Sequence, residues 1–242
     1  MPMNKEVLVQ ILPFFEIARA GHTYTGNQSI SQTSLRVPDD EALAYWLDRF
    51  RQFKVNHEGM GEQFGRKVIR FRDHENQRLV LVSDQTNQGV ASGIPWTNSA
   101  VPQDKAITGL GPVQLTVPDI SPTARVLTEL LGFRQVGSYP SRNKGMPDVE
   151  VFSTGEGGTG AELHVELSSD LQKERPGRGS VHHVALRVDN RAELEKWHEK
   201  NSKGTTTKLR IGGSILFSIL ILSRAKWYFN RVGYRRTRVC YR

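Results

Sequence analysis

Apolar and polar positions alternate over short stretches of this chain, and three of these stretches lead into a helical pattern. In the first, the strand SISQTSLRV ends at Pro38, and apolar side chains then recur at helical spacing from Ala42 to Phe53. Asp39 stands between them, where a helix N-cap is expected. The pattern predicts a strand followed by a helix that packs one apolar face on a sheet.

The strand-to-helix pattern is an internal repeat. Its copies are LRVPDDEALAYWL from Leu35, LTVPDISPTARVL from Leu115 and LRVDNRAELEKWH from Leu186, about 70 to 80 residues apart. In the second copy, Ser121 is the predicted N-cap and the helix is predicted to end at Gly132. Short strands bounded by turn residues follow the first two copies, so the predicted order is strand, helix and three strands.

The repeat predicts an α+β fold built from tandem βαβββ modules. The expected boundaries are a remnant of the first module at 1–29, the second module at 30–84, a linker at 85–107, the third module at 108–170, the start of a fourth module at 180–202, and an aberrant basic tail at 203–242.

The net charge of +8 comes from one end of the chain. Residues 203–242 hold ten Lys and Arg and no acid, which leaves 23 of the 33 bases against all 25 acids. No aromatic stacking surface or groove-reading helix accompanies this tail, so we expect no specific nucleic-acid binding. The apolar run Ile215–Leu222 is shorter than the roughly 20 residues that span a bilayer. Because the chain also has a single cysteine, Cys240, and no secretory leader pattern, we expect a cytoplasmic protein without membrane contact.

Two groups of residues are candidates for chemistry. His182 and His183 are a closely spaced pair at the head of the strand in the last copy of the repeat. Glu162, His164 and Glu166 alternate along another predicted strand and therefore share one face of it. That face is either a set of metal-binding carboxylates and imidazole or a solvated outer surface, and both readings stay open.

The remaining signals favour ordinary structural roles. His22 lies in a turn-rich stretch and is expected to be a free surface histidine, while His57 and His74 are expected to be exposed beside turns. The stretch GEGGTG at Gly155–Gly160 lies between two predicted strands, so it predicts a hairpin turn rather than a phosphate-binding loop. Hydrolase and nucleotide-binding functions are therefore unsupported.

The βαβββ repeats, together with VLTELLGF at Val126–Phe133, resemble the vicinal oxygen chelate superfamily of glyoxalases, bleomycin-resistance proteins and extradiol dioxygenases. Within it, a further set of motifs resembles the ring-cleaving dioxygenases that act on hydroquinones and catechols. These motifs are HTYTGNQSISQTSLRVP, FGRKVIRFRDHENQRLVLVSD, PWTNSAVPQDKAI and RPGRGSVHHVALRVDN. They occur in order, and the resemblance extends from about Phe14 to Asn201.

The resemblance implies a small aromatic substrate, dioxygen, and Fe(II) or another divalent metal. It also implies that two histidines and one glutamate hold the metal and leave positions open for the substrate and dioxygen. The family pattern places one histidine directly before the apolar run of the last strand, so His183 is the expected metal ligand and His182 its neighbour. Such modules complete a cup by pairing, so a homo-oligomer is possible.

The same resemblance leads us to expect that the chain lacks two of the three ligands. One histidine would belong to the first module, which by this resemblance is mostly missing. The last module is disrupted, because the acid-free tail differs from the family's closing motif, LYFREPNGILFEIATDGPGF. Read one nucleotide forward with suitable codons, Gly213 onward can encode DRFYFQSLYFREQNGILIE. We therefore expect a frameshift that begins between about Gly204 and Ile211. A gene whose shifted frame does not encode GILxE would contradict this hypothesis.

Two functions remain as alternatives from the sequence. The first is an Fe(II)-dependent, ring-cleaving dioxygenase that acts on hydroquinone- or catechol-type aromatics and is impaired in this chain. The second is an inactive or small-molecule-binding glyoxalase-like fragment. Whether the chain is an enzyme depends on which of the two is right.

Overall fold

The computed structural model describes residues 19–188, 192, 195–196, 210–211, 214–215 and 218–223. In the second module, the order of strand, helix and three strands is as the sequence predicts. The elements are β1 (Ser29–Val37), α1 (Asp40–Gln52), β2 (Asn56–Gln63), β3 (Arg66–Arg72) and β4 (Arg78–Ser83).

Asp39 caps helix α1, which confirms the predicted start of that helix. Its carboxylate oxygen Oδ1 accepts a hydrogen bond from the Ala42 backbone N–H at 2.7 Å. Asp40 and Glu41 add negative charge to the first turn, and Arg49 and Arg51 add positive charge to the last one. Both placements are favourable to the helix dipole.

The third module repeats the same order of elements with a shorter helix. Its elements are β5 (Gly109–Val117), α2 (Ile120–Arg125), a π-helical turn (Val126–Leu130), β6 (Arg134–Tyr139), β7 (Val149–Ser153) and β8 (Glu162–Leu167).

The predicted N-cap of the second helix, Ser121, is wrong. Asp119 caps it instead, because its side chain accepts a hydrogen bond from the Ser121 backbone N–H at 2.9 Å. Asp119 stands at the same place in the repeat as Asp39, so the aspartate after each proline has one role in both modules. Gly132 follows the helical segment with φ +72°, as expected for a glycine after a helix end.

The two modules form one mixed sheet of eight strands in the order β2-β3-β4-β1-β5-β8-β7-β6. Strands β1 and β5 meet in the middle and run antiparallel. Within each module the first and last strands pair in parallel, with Leu35 opposite Leu81 in one and Leu115 opposite Val165 in the other. The sheet curls into a half-barrel with the helices outside, which confirms the predicted α+β fold of βαβββ modules. We call its inner face the cup.

Helix α1 packs on the outer face of the sheet of the second module. Its buried residues Ala42, Leu43 and Phe50 form one cluster with Ile69 of β3 and Leu81 of β4. Burying each large side chain of this kind stabilises the fold by about 1.5–3 kcal/mol. The apolar stripe of the helix is therefore core, as its spacing predicts.

The connection between the two modules is anchored to the sheet. Arg36 of β1 is almost fully buried, and its guanidinium contacts the Asp84 carboxylate at 2.7 Å. The same guanidinium donates hydrogen bonds to the carbonyl oxygens of Val90 and Ala91. A short 3-10 helix at Gln103–Lys105 precedes β5.

Strand β9 (His183–Val188) belongs to a second compact unit, which comprises residues 13–20 and 182–242. In that unit, β10 (Arg210–Ile211) pairs with β11 (Ser214–Ile215), and β9 pairs in parallel with β12 (Ser218–Ser223). Leu186 lies opposite Ile221, so the parallel pairing resembles that of the first and last strands in the other modules.

Much of the last part of the chain lies outside the described residues. This applies to the start of the helix predicted after Asp189 and to most of the tail predicted at 203–242. Within the described part of the chain, no helix is both long enough and apolar enough to cross a membrane.

Candidate functional site

His183, the predicted metal ligand, is the first residue of β9 and is partly buried. Its Nδ1 lies 3.0 Å from Nδ1 of the exposed His182, and the planes of the two rings are nearly perpendicular. Burial lowers the pKa of His183, and the neighbouring His182 lowers it further. Both effects favour the neutral imidazole, which is the form that binds a divalent metal.

The described residues do not complete a metal site around His183. Nowhere in the part of the chain that the structure describes do three or more His, Cys, Asp or Glu side chains come together in a group that could hold a metal ion. A site with two histidines and one carboxylate needs three such ligands.

The described part of the chain offers a second constellation, on β8. Glu162, His164 and Glu166 share a face, as predicted, but the reading of that face as a solvated outer surface is wrong. All three side chains are buried, with 7%, 1% and 8% of their surface exposed. They face the cup, where β3 and the residues around β6 cover them.

A buried ion pair connects this strand to the second module. Arg66 of β3 donates two hydrogen bonds to the carboxylate of Glu162, at 2.7 and 2.8 Å. Burial alone raises the pKa of Glu162, but hydrogen bonds from His164 and Arg66 outweigh it and hold that pKa below its usual value. Glu162 is therefore a carboxylate at neutral pH. The buried charges of Glu162 and Arg66 neutralise each other and are hydrogen-bonded, as buried charges require.

His164 lies at the centre of the network. Its Nε2 is 3.2 Å from Glu162 Oε2, and its Nδ1 is 3.0 Å from the Tyr139 hydroxyl and 3.2 Å from the Gln63 amide nitrogen. These partners assign the proton to Nε2, which donates to Glu162, and leave Nδ1 as the acceptor. Burial lowers the pKa of His164 although Glu162 opposes the shift, so the ring is neutral.

Tyr139 and Glu166 are held by their surroundings. Burial raises the pKa of Tyr139 well above its usual value, so its hydroxyl keeps its proton and can donate to His164. Glu166 accepts hydrogen bonds from neutral donors, namely Gln114, Thr116, Ser141 and Asn143. The polar side of the cup thus holds two hydrogen-bonded groups, one around His164 and one around Glu166.

Little empty space lies beside His164. The cavity beside Gln63, Arg66 and His164 has a volume of about 10 Å³, the size of one water molecule. A carboxylate, an imidazole and a phenol in hydrogen-bond contact could transfer protons, but a substrate has no room beside them. In this closed form the network connects the two modules.

The comparisons with known proteins agree with this fold. Residues 109–209 match the model of the Glyoxalase/Bleomycin resistance protein/Dioxygenase superfamily. This part of the chain is similar to that superfamily. The match covers the third module and continues through β9, so it includes both candidate sites.

Two similar proteins are both named as putative ring-cleaving dioxygenases. The chain is 45% identical over 187 residues to "Putative ring-cleaving dioxygenase MhqA" of Bacillus subtilis (strain 168), which is 77% of this chain and 58% of that protein. It is 29% identical over 187 residues to "Putative ring-cleaving dioxygenase MhqO" of the same organism, which is 77% of this chain and 55% of that protein. The chain therefore spans little more than half the length of these relatives.

A solved structure supports the fold. The crystal structure of a "putative dioxygenase" from Bacillus subtilis subsp. subtilis str. 168 superimposes with a TM-score of 0.69 and 24% identity. The superposition covers 86% of this chain and 66% of that one.

Three further histidines, His22, His57 and His74, are partly as predicted. His74 is exposed, as expected. His57 is partly buried and its Nδ1 lies 2.7 Å from the Val55 carbonyl oxygen, so the expected exposure is wrong for this residue. His22 is at the surface, as expected, but it is not free, because its Nε2 accepts a hydrogen bond from Arg178 at 2.8 Å.

Sequence reasoning missed Arg66, Gln63 and Tyr139 as partners of β8. Arg66 and Gln63 flank a two-residue hairpin loop, and Tyr139 ends β6, more than twenty residues before His164 in the chain. The one available signal was the charged alternation of β8 itself. A strand with this alternation is as compatible with a polar interior as with solvent.

Proposed function

We propose that this chain is a ring-cleaving dioxygenase for small aromatic substrates of the hydroquinone or catechol type, with dioxygen as the second substrate. The observation that carries the proposal is the 45% identity over 187 residues to a relative named as a ring-cleaving dioxygenase. The paired βαβββ modules are consistent with it, because the superfamily matched by residues 109–209 includes dioxygenases.

We propose Fe(II) as the metal and His183 as one of its ligands; another divalent metal could take its place. The neutral state of His183 supports this assignment, because an imidazole must be deprotonated to bind a metal. The contact between the Nδ1 atoms of His183 and His182 favours Nε2 of His183 as the coordinating atom. When bound, Fe(II) would supply the activation of dioxygen.

A second candidate function is a glyoxalase-like fragment that is inactive or binds small molecules without catalysis. One observation favours it: the described residues bring no three metal ligands together. A single imidazole binds a divalent ion weakly, so the two candidates differ first in metal content.

The proposal is tested by loading the purified chain with Fe(II) under anaerobic conditions. Bound iron is measured after desalting, and oxygen uptake is then followed with catechol or methylhydroquinone. The dioxygenase proposal predicts bound iron and uptake of dioxygen that depends on the substrate. A chain that binds no iron and consumes no dioxygen would support the inactive fragment instead.

Two variants assign the ligand. His183→Ala is expected to abolish both iron binding and oxygen uptake, because it removes a coordinating atom. His182→Ala is expected to lower them by about 10–100-fold at most, as for a residue that orients a ligand. The exposed His74→Ala is the control and should change neither quantity. Equal values for the wild-type chain and His183→Ala would contradict the assignment.

We also propose a cytoplasmic location and allow for a homo-oligomer. A single cysteine, Cys240, excludes an intrachain disulfide, which suits a reducing compartment. Size-exclusion chromatography with light scattering tests the second point. We expect an oligomer, and a compact monomer would contradict it.

A further inference from the structure

The tip of the hairpin between β2 and β3 has an unusual residue. Phe64 and Gly65 form a two-residue loop, and both have positive φ, at 47° and 71°. Loops of this kind favour Asn, Asp or Gly at both positions, because a Cβ is crowded there. A bulky aromatic residue with positive φ is an outlier whose cause must lie outside the hairpin.

The ring of Phe64 is held by contacts with the third module. Its centroid lies 6.1 Å from the ring centroids of both Tyr139 and His164, and the Arg66 guanidinium lies 5.8 Å from it. Gly137 of β6 makes room for the ring, because a Cβ at that position would lie 3.0 Å from it. Since β2 and β6 are the opposite edges of the sheet, Phe64 closes the cup from one edge to the other.

The ring lies beside a group of hydrogen-bonded polar side chains. The Tyr139 hydroxyl and the Gln63 amide both turn to Nδ1 of His164. Arg70, which donates to the Gln63 side chain at 2.8 Å, keeps a buried Nε–H that has no hydrogen-bond acceptor among the described residues. Buried donors are rarely left unpaired in a core that serves only packing.

We propose that Phe64 is a plug that covers a second small-molecule site in the cup, and that this site takes a small phenol. An aromatic ring already fits between Tyr139, Arg66 and Gly137, so a ligand ring of the same size can take its place. A ligand hydroxyl would then reach the donors and acceptors of Tyr139, Gln63 and His164. The positive φ of Phe64 favours departure of the plug, because an extended or helical backbone is less crowded for this residue.

This inference does not rest on the proposed dioxygenase activity. The site consists of residues of the second and third modules, and it needs neither His183 nor a metal. With Phe64 in place, the site is closed, because the remaining cavity of about 10 Å³ admits only water. The hairpin must move before a ligand can bind.

The test measures binding of phenol, with benzene as an apolar probe, by calorimetry. Phe64→Asn removes the ring and places at the loop a residue that tolerates positive φ. We expect this variant to bind phenol at least tenfold more tightly than the wild-type chain. Phe53→Ala, which removes an exposed phenyl ring at the end of α1, is the matched control and should leave binding unchanged.

A second substitution separates a phenol site from a simple hole. Adding Tyr139→Phe to Phe64→Asn should weaken phenol binding about tenfold and leave benzene binding unchanged, because only phenol uses the hydroxyl contact. If the folded Phe64→Asn variant binds phenol no more tightly than the wild-type chain, the proposal is wrong.

A measurement on the wild-type chain covers the case in which the variants do not fold. Saturating phenol should displace the plug, so the backbone amides of Gln63–Arg66 should exchange hydrogen at least tenfold faster than without it. The amides of β4, which lies away from the hairpin tip, serve as the internal reference. Unchanged exchange at the hairpin in saturating phenol would overturn the proposal.

Discussion

Strands β4 and β8 are the last strands of their modules, and each lies between the first and the third strand of its own module, but the two have opposite characters on the cup side. On the helix side, Leu81 of β4 and Val165 of β8 are both fully buried and lie opposite Leu35 and Leu115. On the cup side, the corresponding residues are Val80 and Val82 in β4 but His164 and Glu166 in β8, as the matching registers show.

The difference between the two strands separates what the fold needs from what it permits. The helix side must be apolar in both modules, because a helix packs against it and excludes water. The cup side accepts either a small apolar cluster, Val68, Val80 and Val82, or a polar network whose members satisfy one another. Chemistry can therefore vary on one face without changing the repeat.

The largest expected effect is on the buried ion pair that joins the two halves of the cup. Arg66→Ala leaves the Glu162 carboxylate buried without its bidentate partner and should cost about 3–5 kcal/mol of unfolding free energy. Urea unfolding followed by circular dichroism measures the loss. Arg142→Ala is the control, because its pair with Glu58 also joins the second and third modules but is more than half exposed, and it should cost at most about 1 kcal/mol. Equal losses for the two variants would refute the distinction.

The helix side should respond alike in both modules. Leu81→Ala should cost about 2–5 kcal/mol, and Val165→Ala should be destabilising in the same direction by a smaller amount, because each opens a cavity under a helix. The same urea experiment measures both. If Val165→Ala had no cost, the third module would not share the packing of the second.

The cup side should differ in its response to acid. Burial lowers the pKa of His164 below 6.5, so the folded chain keeps a neutral ring where the unfolded chain binds a proton. The contribution of His164 to the unfolding free energy is therefore fully present above about pH 6.5. As the pH falls below this value, that contribution decreases by up to about 1.4 kcal/mol per pH unit. His164→Gln should flatten the pH dependence of the unfolding free energy between about pH 6.5 and 5. A slope that persists in this variant would exclude His164 as its source.

The smallest expected effect is on a single hydrogen bond of the network. Tyr139→Phe removes the hydroxyl that lies 3.0 Å from His164 Nδ1 and keeps the ring that contacts Phe64. The Gln63 amide remains as a donor to Nδ1, so the cost should be about 0.5–1.5 kcal/mol. Thermal unfolding monitored at one fixed pH checks it. A loss as large as that of Arg66→Ala would mean that the hydroxyl supports the whole network.

Local patterns predicted much of the fold. The strand SISQTSLRV has the bounds of β1, short strands follow the helix of each module as the turn residues predict, and the cap of α1 follows from Asp39 after Pro38. The cap of α2 was missed, because Ser121 and Asp119 are both good capping residues and only the backbone geometry chooses between them.

For the candidate sites, residue identity predicted the group but not its environment. The alternation of Glu162, His164 and Glu166 shows one shared face, but whether that face meets solvent depends on Arg66, Gln63 and Tyr139, which are distant in sequence. The role of His183 stays a prediction. The described part of the chain shows the neighbouring His182 and a neutral ring.

By itself, the sequence determined the repeat of βαβββ modules and the apolar side of each strand, because these depend on residue periods of about 2 and 3.6 along a local stretch. Only the tertiary structure decided that the charged face of β8 is buried, that Arg66 neutralises Glu162, and that Phe64 closes the cup. The physical reason is that burial, hydrogen-bond partners and pKa depend on side chains that sheet curvature brings together, and the pairing of β1 with β5 sets that geometry.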